Sequence, residues 1–135
     1  MFKATQNKGF CIKFENGIEV SIQFGNGNYC ENRSKENNNV ITSCVNAEVM
    51  AYDEDHNVIL EPQGWKTPEE VLELLNDLSS RMSKKEKYLN EIWHKGYDQG
   101  ENANDYKDII NPYNEEDEEH GSFASGVYSG WKDNN

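Results

Sequence analysis

The stretch GFCIKFENGIEVSIQF, Gly9 to Phe24, decides the fold. Phe10, Ile12 and Phe14 alternate with Cys11 and Lys13. Ile18, Val20, Ile22 and Phe24 alternate with Glu19, Ser21 and Gln23. A period of two with one apolar face predicts two half-buried strands. The loop length sets their register. A two-residue Asn16-Gly17 loop would pair Phe14 with Glu19, apolar against polar. A three-residue loop, Glu15-Asn16-Gly17, pairs Phe14 with Ile18, Ile12 with Val20 and Phe10 with Ile22. Cross-strand partners share a face, so this register gathers all the apolar positions on one side. It puts Gly17 in the left-handed position of a bulged turn.

Downstream, Gly25-Asn26-Gly27-Asn28 predicts another reversal. As a phosphate loop it lacks the third glycine and the helix that the fingerprint requires. Glu31 to Asn39 is polar and reads as a mobile loop. Val40 to Tyr52 is the next strand region, with Val45, Ala47, Val49 and Ala51 on one face. A four-residue loop, Asp53 to His56, pairs Ala51 with Val58 and Val49 with Leu60. A boundary falls near Glu61-Pro62-Gln63-Gly64.

Thr67-Pro68-Glu69-Glu70 predicts a helix start. Thr67 caps, Pro68 needs no amide hydrogen, and Glu70 closes a capping box. Val71, Leu75, Leu78 and Met82, supported by Leu72 and Leu74, form an apolar stripe that must be buried, and the open sheet face is its partner. A second helix is predicted from about Lys84 to Gly100, with Tyr88, Leu89, Ile92, Trp93 and Tyr97 on its apolar side. Gly96 and Gly100 share a face and admit a close backbone. Phe123, Val127 and Trp131, four apart, predict a short terminal helix. The expectation is an α+β fold: an antiparallel meander of about four strands, packed by an amphipathic helix and followed by a helical hairpin-like tail. The segments are 1–62 for the sheet, 63–83 for the packing helix and 84–135 for the tail with its acidic loop, taken as one compact unit.

The chain has 135 residues, 13 basic and 25 acidic, for a net charge of −12. Phosphate repels such a surface, which argues against direct binding of nucleic acid or anionic lipid and allows a basic protein surface as partner. No apolar run has the length of a membrane span, and MFKATQNKGF lacks a signal peptide's apolar core. Cys11, Cys30 and Cys44 are few, odd in number and not in Cys-x-x-Cys spacing, so a reducing cytoplasm is expected.

Gly96-Tyr97-x-x-Gly100, Asn111-Pro112-Tyr113 and Gly130-Trp131 resemble, in order, the pattern of bacterial ribosome modulation factor and its small relatives, which are helical hairpins. Asn111 stands where that family usually has Cys, and the spacers around Pro112-Tyr113 are longer. The family segment is basic, as ribosomal RNA requires, whereas Asp98 to Glu119 carries nine acids against Lys107 alone. The resemblance therefore implies hairpin packing more than RNA binding. Phe14-Glu15-Asn16-Gly17 and Phe24 to Cys30 resemble short uncharacterised proteins of bacteriophages and prophages. That likeness implies a viral setting, in which a small acidic protein inhibits a host enzyme or defence complex.

No nucleophile–base order is recognisable. His94 and Asp98, four apart on a helix, could form an acid–base or metal pair, although that spacing is commoner as a weak surface contact. His56 falls in a turn, and His120 follows the acids. The cysteines read as small packed side chains rather than metal ligands. No catalytic residue, metal or cofactor is expected. The candidate partner-binding residues are Glu115, Glu116, Asp117, Glu118 and Glu119, with Tyr106, Tyr113 and Tyr128 as aromatic anchors. They would act as a phosphate-mimicking strip on a host protein. Two alternatives are a ribosome-associated modulator and a sponge for a nucleotide signal. The sponge needs cations beside aromatics, and Arg33, Arg81, Lys84, Lys85 and Lys87 are its candidates.

Overall fold

The structure is a computed structural model that describes residues 1–6, 8–36 and 43–134. The three expected segments, 1–62, 63–83 and 84–135, fall into two compact units rather than one, Met1–Ser83 and Lys84–Asn135. Each is described by itself.

The first unit is a five-stranded antiparallel sheet in the order β1-β2-β3-β4-β5, with one helix. The strands are β1 (Phe2–Thr5), β2 (Gly9–Lys13), β3 (Glu19–Gln23), β4 (Ala47–Tyr52) and β5 (Val58–Lys66); the helix is α1 (Pro68–Ser80). The hairpin has the register that the alternation requires, Phe10 opposite Ile22 and Ile12 opposite Val20. Phe14 N–H donates to the Ile18 carbonyl at 2.9 Å, and Gly17 turns with φ +87. The extra strand is β1, which pairs Phe2 with Ile12 and Ala4 with Phe10. Ile18, Val20, Ile22, Ala47, Val49, Ala51 and Leu78 form the core, with Phe10, Ile12, Phe14, Val71 and Leu75 packed against it.

The β4–β5 register differs from expectation. Tyr52 faces Val58, Ala51 faces Leu60 and Val49 faces Gln63, with bulges between. The cause is the Asp53 carboxylate, whose Oδ1 accepts the N–H groups of Asp55 and Asn57, both at 2.9 Å. Asp53 N–H also donates to the Asn57 carbonyl, so the turn includes Asn57. The expected boundary at 61–64 lies inside β5, which runs to Lys66. Proline is tolerated there because β5 is an edge strand. In the expected Val40–Tyr52 strand, the described strand starts at Ala47, Val45 is exposed rather than in the core, and Val40 to Thr42 lie outside the described residues. Glu31–Ser34, expected to be loop, is a 3-10 turn anchored by the buried Asn32, whose Nδ2 donates to the Phe24 and Ser43 carbonyls. Residues 37–39 of that loop are outside the description.

At the start of α1 both halves of the capping box form. Thr67 Oγ1 accepts from Glu70 N–H at 3.3 Å, and Glu70 Oε2 accepts from Thr67 N–H at 2.9 Å. The helix stops at Ser80, so Met82 is exposed rather than part of the stripe, as is Leu72.

The second unit is a helical hairpin of α2 (Lys84–Glu101) and α3 (Glu118–Asn134), joined through a 3-10 turn at Tyr106–Asp108. Glycines on both helices let the backbones touch. A methyl at Gly96 or Gly100 would lie 2.3 or 2.0 Å from the carbonyl oxygens of Phe123 and Val127. One at Gly126 or Gly130 would lie 2.0 or 2.1 Å from those of Trp93 and Tyr97. Around this contact Ile92, Phe123 and Val127 are buried, with Tyr106, Ile109 and Tyr113 against them. Tyr88, expected on the apolar side, is exposed.

Candidate functional site

The acidic run is part loop and part helix. Glu115 and Glu116 lie in a turn, while Glu118 and Glu119 are the first residues of α3. Carboxylates are favoured there because a helix N-terminus carries partial positive charge. This is why the helix begins inside a run expected to be wholly loop. The turn is built by hydrogen bonds. Asp117 N–H donates to the Asn114 carbonyl at 3.0 Å, Asn114 Nδ2 donates to Asp117 Oδ2 at 3.2 Å, and His120 N–H donates to the Asp117 carbonyl at 3.1 Å. Asn111 Nδ2 reaches the His120 carbonyl at 3.0 Å and ties the run to the chain entering it. Glu118 pairs with Lys85 at 2.7 Å. Glu115 to Glu118 are exposed and Glu119 is half-buried. Among the described residues, Glu115, Glu116 and Glu119 enter no ion pair.

The three candidate tyrosines separate. Tyr113 packs on Phe123 with ring centroids 5.8 Å apart, so it lines the core. Tyr106 meets Tyr128 edge-on at 5.4 Å and Trp131 at 5.2 Å. Tyr128 is 48 % exposed. Trp131 belongs to this cluster although it was not among the candidates. The signal for it is the i, i+3 spacing of Tyr128 and Trp131, which puts both on one helix face. Tyr106, Asn111, His120, Phe123 and Tyr128 help to line a cavity of about 170 Å³. That is below the range of about 300 Å³ upward for small-molecule pockets, and suits one inserted side chain.

Arg33 lies over the Tyr29 ring, but His94, His56, the Gly25 to Asn28 turn and the cysteines do not assemble into a site. His94 lies edge-on against Trp93 and has no hydrogen bond to Asp98 among the described residues. His56 is an exposed turn residue at φ +63. Gly25 to Asn28 form a turn followed by the 3-10 segment, not by an α-helix. All three thiols are free. Cys30 is buried beneath that turn with its thiol 3.5 Å from the Gly25 carbonyl, and burial pushes its pKa up. Among the described residues no three His, Cys, Asp or Glu side chains converge on a metal-sized site. Of the cations weighed with Arg33, Arg81 pairs with Asp77 at 2.6 Å and Lys85 with Glu118. A larger cavity in the first unit, about 400 Å³, is lined mainly by apolar side chains including Phe10, Phe24, Val45 and Val71. Its ammonium, Lys66, is paired with Glu70 at 3.6 Å.

No family model matches this chain, and neither do any curated protein or solved structure. Among the described residues no helix is long and apolar enough to cross a membrane.

Proposed function

We propose that the protein is a non-enzymatic binding protein of bacteriophage type. It inhibits a host defence or nucleic-acid-handling protein by occupying a basic surface with its acidic turn. The observation that supports this reading is a set of exposed carboxylates, Glu115 and Glu116, that stay unpaired while the turn carrying them is tied down by Asn111, Asn114 and Asp117. A preordered strip loses less conformational entropy on binding than a floppy acidic tail does. Carboxylates can meet arginines bidentately, as phosphate does.

The test is capture of partners from bacterial lysate, followed by kinetics on the recovered protein. The expected partner has a basic groove, is released by salt and is displaced by nucleic acid. Ribosomal proteins that persist after RNase and a salt wash would instead support the ribosome-associated reading. Binding that is insensitive to salt and to nucleic acid would exclude the mimic.

A further inference from the structure

A second exposed cluster lies in the first unit, where β5 ends. Tyr29 and Trp65 are 43 % and 51 % exposed, their centroids 5.7 Å apart and their planes tilted by 49°. The Arg33 guanidinium sits 4.4 Å from the Tyr29 ring centre. The three residues come from a turn, a 3-10 segment and an edge strand, and the backbone is built to bring them together. Trp65 has φ +53, a conformation that bulky side chains avoid. Its N–H donates to the Tyr29 carbonyl at 2.7 Å. A methyl on the preceding Gly64 would lie 2.4 Å from Tyr29 Cβ.

On the other side, Glu48 holds the turn in place. Its carboxylate accepts from Tyr29 N–H at 3.0 Å and from Asn28 Nδ2 at 3.2 Å, and so is already engaged. Asn32, wholly buried, fixes the segment that carries Arg33. Among the described residues Arg33 has no carboxylate within ion-pair distance, in a chain with 25 acidic residues. Two exposed rings beside an unpaired guanidinium suit a ligand that is flat and anionic. A cationic ligand would meet Arg33. A nucleic-acid strand would have to run past the chain's many carboxylates. A small anion avoids most of that repulsion, which is screened beyond about 8 Å.

We infer that Tyr29, Arg33 and Trp65 form a binding site for a nucleoside phosphate. The base stacks on Trp65, and the phosphate takes the free N–H donors of Arg33, whose guanidinium carbon lies over the Tyr29 ring. This site is separate from the acidic turn and stands or falls without it.

Calorimetric titration of the full chain tests it, with adenosine 5′-monophosphate, adenosine, ribose 5-phosphate and inorganic phosphate as probes. The monophosphate should bind about tenfold or more tighter than adenosine or ribose 5-phosphate, because each lacks one of the two contacts. Arg33→Gln should bring the monophosphate down to the level of adenosine. Trp65→Gly should bring it down to ribose 5-phosphate, and glycine accepts the positive φ, so the backbone is preserved. A thermal melt of each variant checks the fold. No saturable binding of any nucleoside monophosphate at millimolar concentration overturns the inference. So does inorganic phosphate binding as well as the nucleotide, or a proline-rich peptide binding where nucleotides do not.

Discussion

The Nδ2 of Asn16 donates to the carbonyl of Leu78 at 2.8 Å, from the tip of the β2–β3 hairpin to the last turn of α1. The same amide reaches the Arg81 carbonyl at 2.8 Å, while Oδ1 accepts Ile18 N–H at 3.1 Å. One side chain therefore closes the hairpin turn and takes up carbonyls that a helix end leaves unsatisfied. Asn16→Asp separates the two roles. It keeps the acceptor for Ile18 and replaces the donor with a carboxylate, facing the negative end of the helix. Losing the donor should cost about 1–3 kcal/mol, and the new charge adds to that. Chemical denaturation should rank the variants parent, then Asn16→Ala, then Asn16→Asp at neutral pH. An Asp variant as stable as the parent would show that α1 does not depend on this cap.

Two alanine substitutions in α3 should have opposite signs. Gly121 has nothing within 4 Å of an added methyl. Gly121→Ala should therefore stabilise, by up to about 1 kcal/mol of helix propensity. At Gly130 the methyl would meet the Tyr97 carbonyl oxygen at 2.1 Å and the Glu101 nitrogen at 2.9 Å. Both are backbone atoms and cannot rotate away, so the helices must part. The propensity gain is then outweighed, and a net loss of about 1–3 kcal/mol is expected. Thermal melts of the two variants check this, and equal shifts would refute the tight backbone contact.

Those glycines also mark what the sequence makes legible. Gly96 and Gly100 stand in a polar, aromatic helix where their spacing is visible. Gly126 and Gly130 lie among Ser and Ala, so their matching role is hidden until the helices are docked. The hairpin register could be read because Phe14, Ile18 and Val20 alternate strictly on either side of one glycine turn. The β4–β5 register could not, because Asp53 enlarges the turn and bulges then break the period of two. The start of α3 is concealed because neither a Pro at the first helical position nor a capping box marks Glu118. Trp65 is hidden in the sequence because Pro62 and Gly64 read as a boundary, whereas at a sheet edge they are part of the strand.

The capping box at α1 gives a pH dependence with a definite sign. The backbone hydrogen bond from Thr67, helped by Lys66, holds the Glu70 carboxyl below its ordinary value. A depressed carboxyl stabilises the fold above its unfolded pKa, about 4.3, and that stabilisation is lost as pH falls through the lower folded value. Glu70→Gln keeps a hydrogen-bonding side chain but does not titrate. Its stability relative to the parent should therefore improve on going from neutral pH to about pH 3. Thr67→Ala should cost about 1 kcal/mol at neutral pH. Urea titrations at both pH values check the pair. A parent–Glu70→Gln difference that does not change with pH would show that the carboxylate is not the capping group.

The acidic turn needs a variant that alters charge without altering the helix. Neutralising all five acids would not do so. Glu118 and Glu119 sit in the first turn of α3, where each charge contributes about 0.3–1 kcal/mol, and Glu118 also pairs with Lys85. Asp117 accepts from Asn114 within the turn. Glu115 and Glu116 are different: both are exposed, lie outside the helix and enter no ion pair among the described residues. Glu115→Gln with Glu116→Gln should leave the melting temperature unchanged or slightly raised, since two adjacent like charges are removed. If the turn steers onto a basic groove, association with the recovered partner should slow at low salt. Parent and variant should converge near 1 M salt, where the screening length is about 3 Å. The dissociation rate should change less, because exposed charges act mainly on encounter. Equal association rates at low salt would remove the carboxylates from the mechanism. The exposed Tyr128, with Tyr106 and Trp131 behind it, would then be the surface to alter, and Tyr128→Ala the variant that should weaken binding.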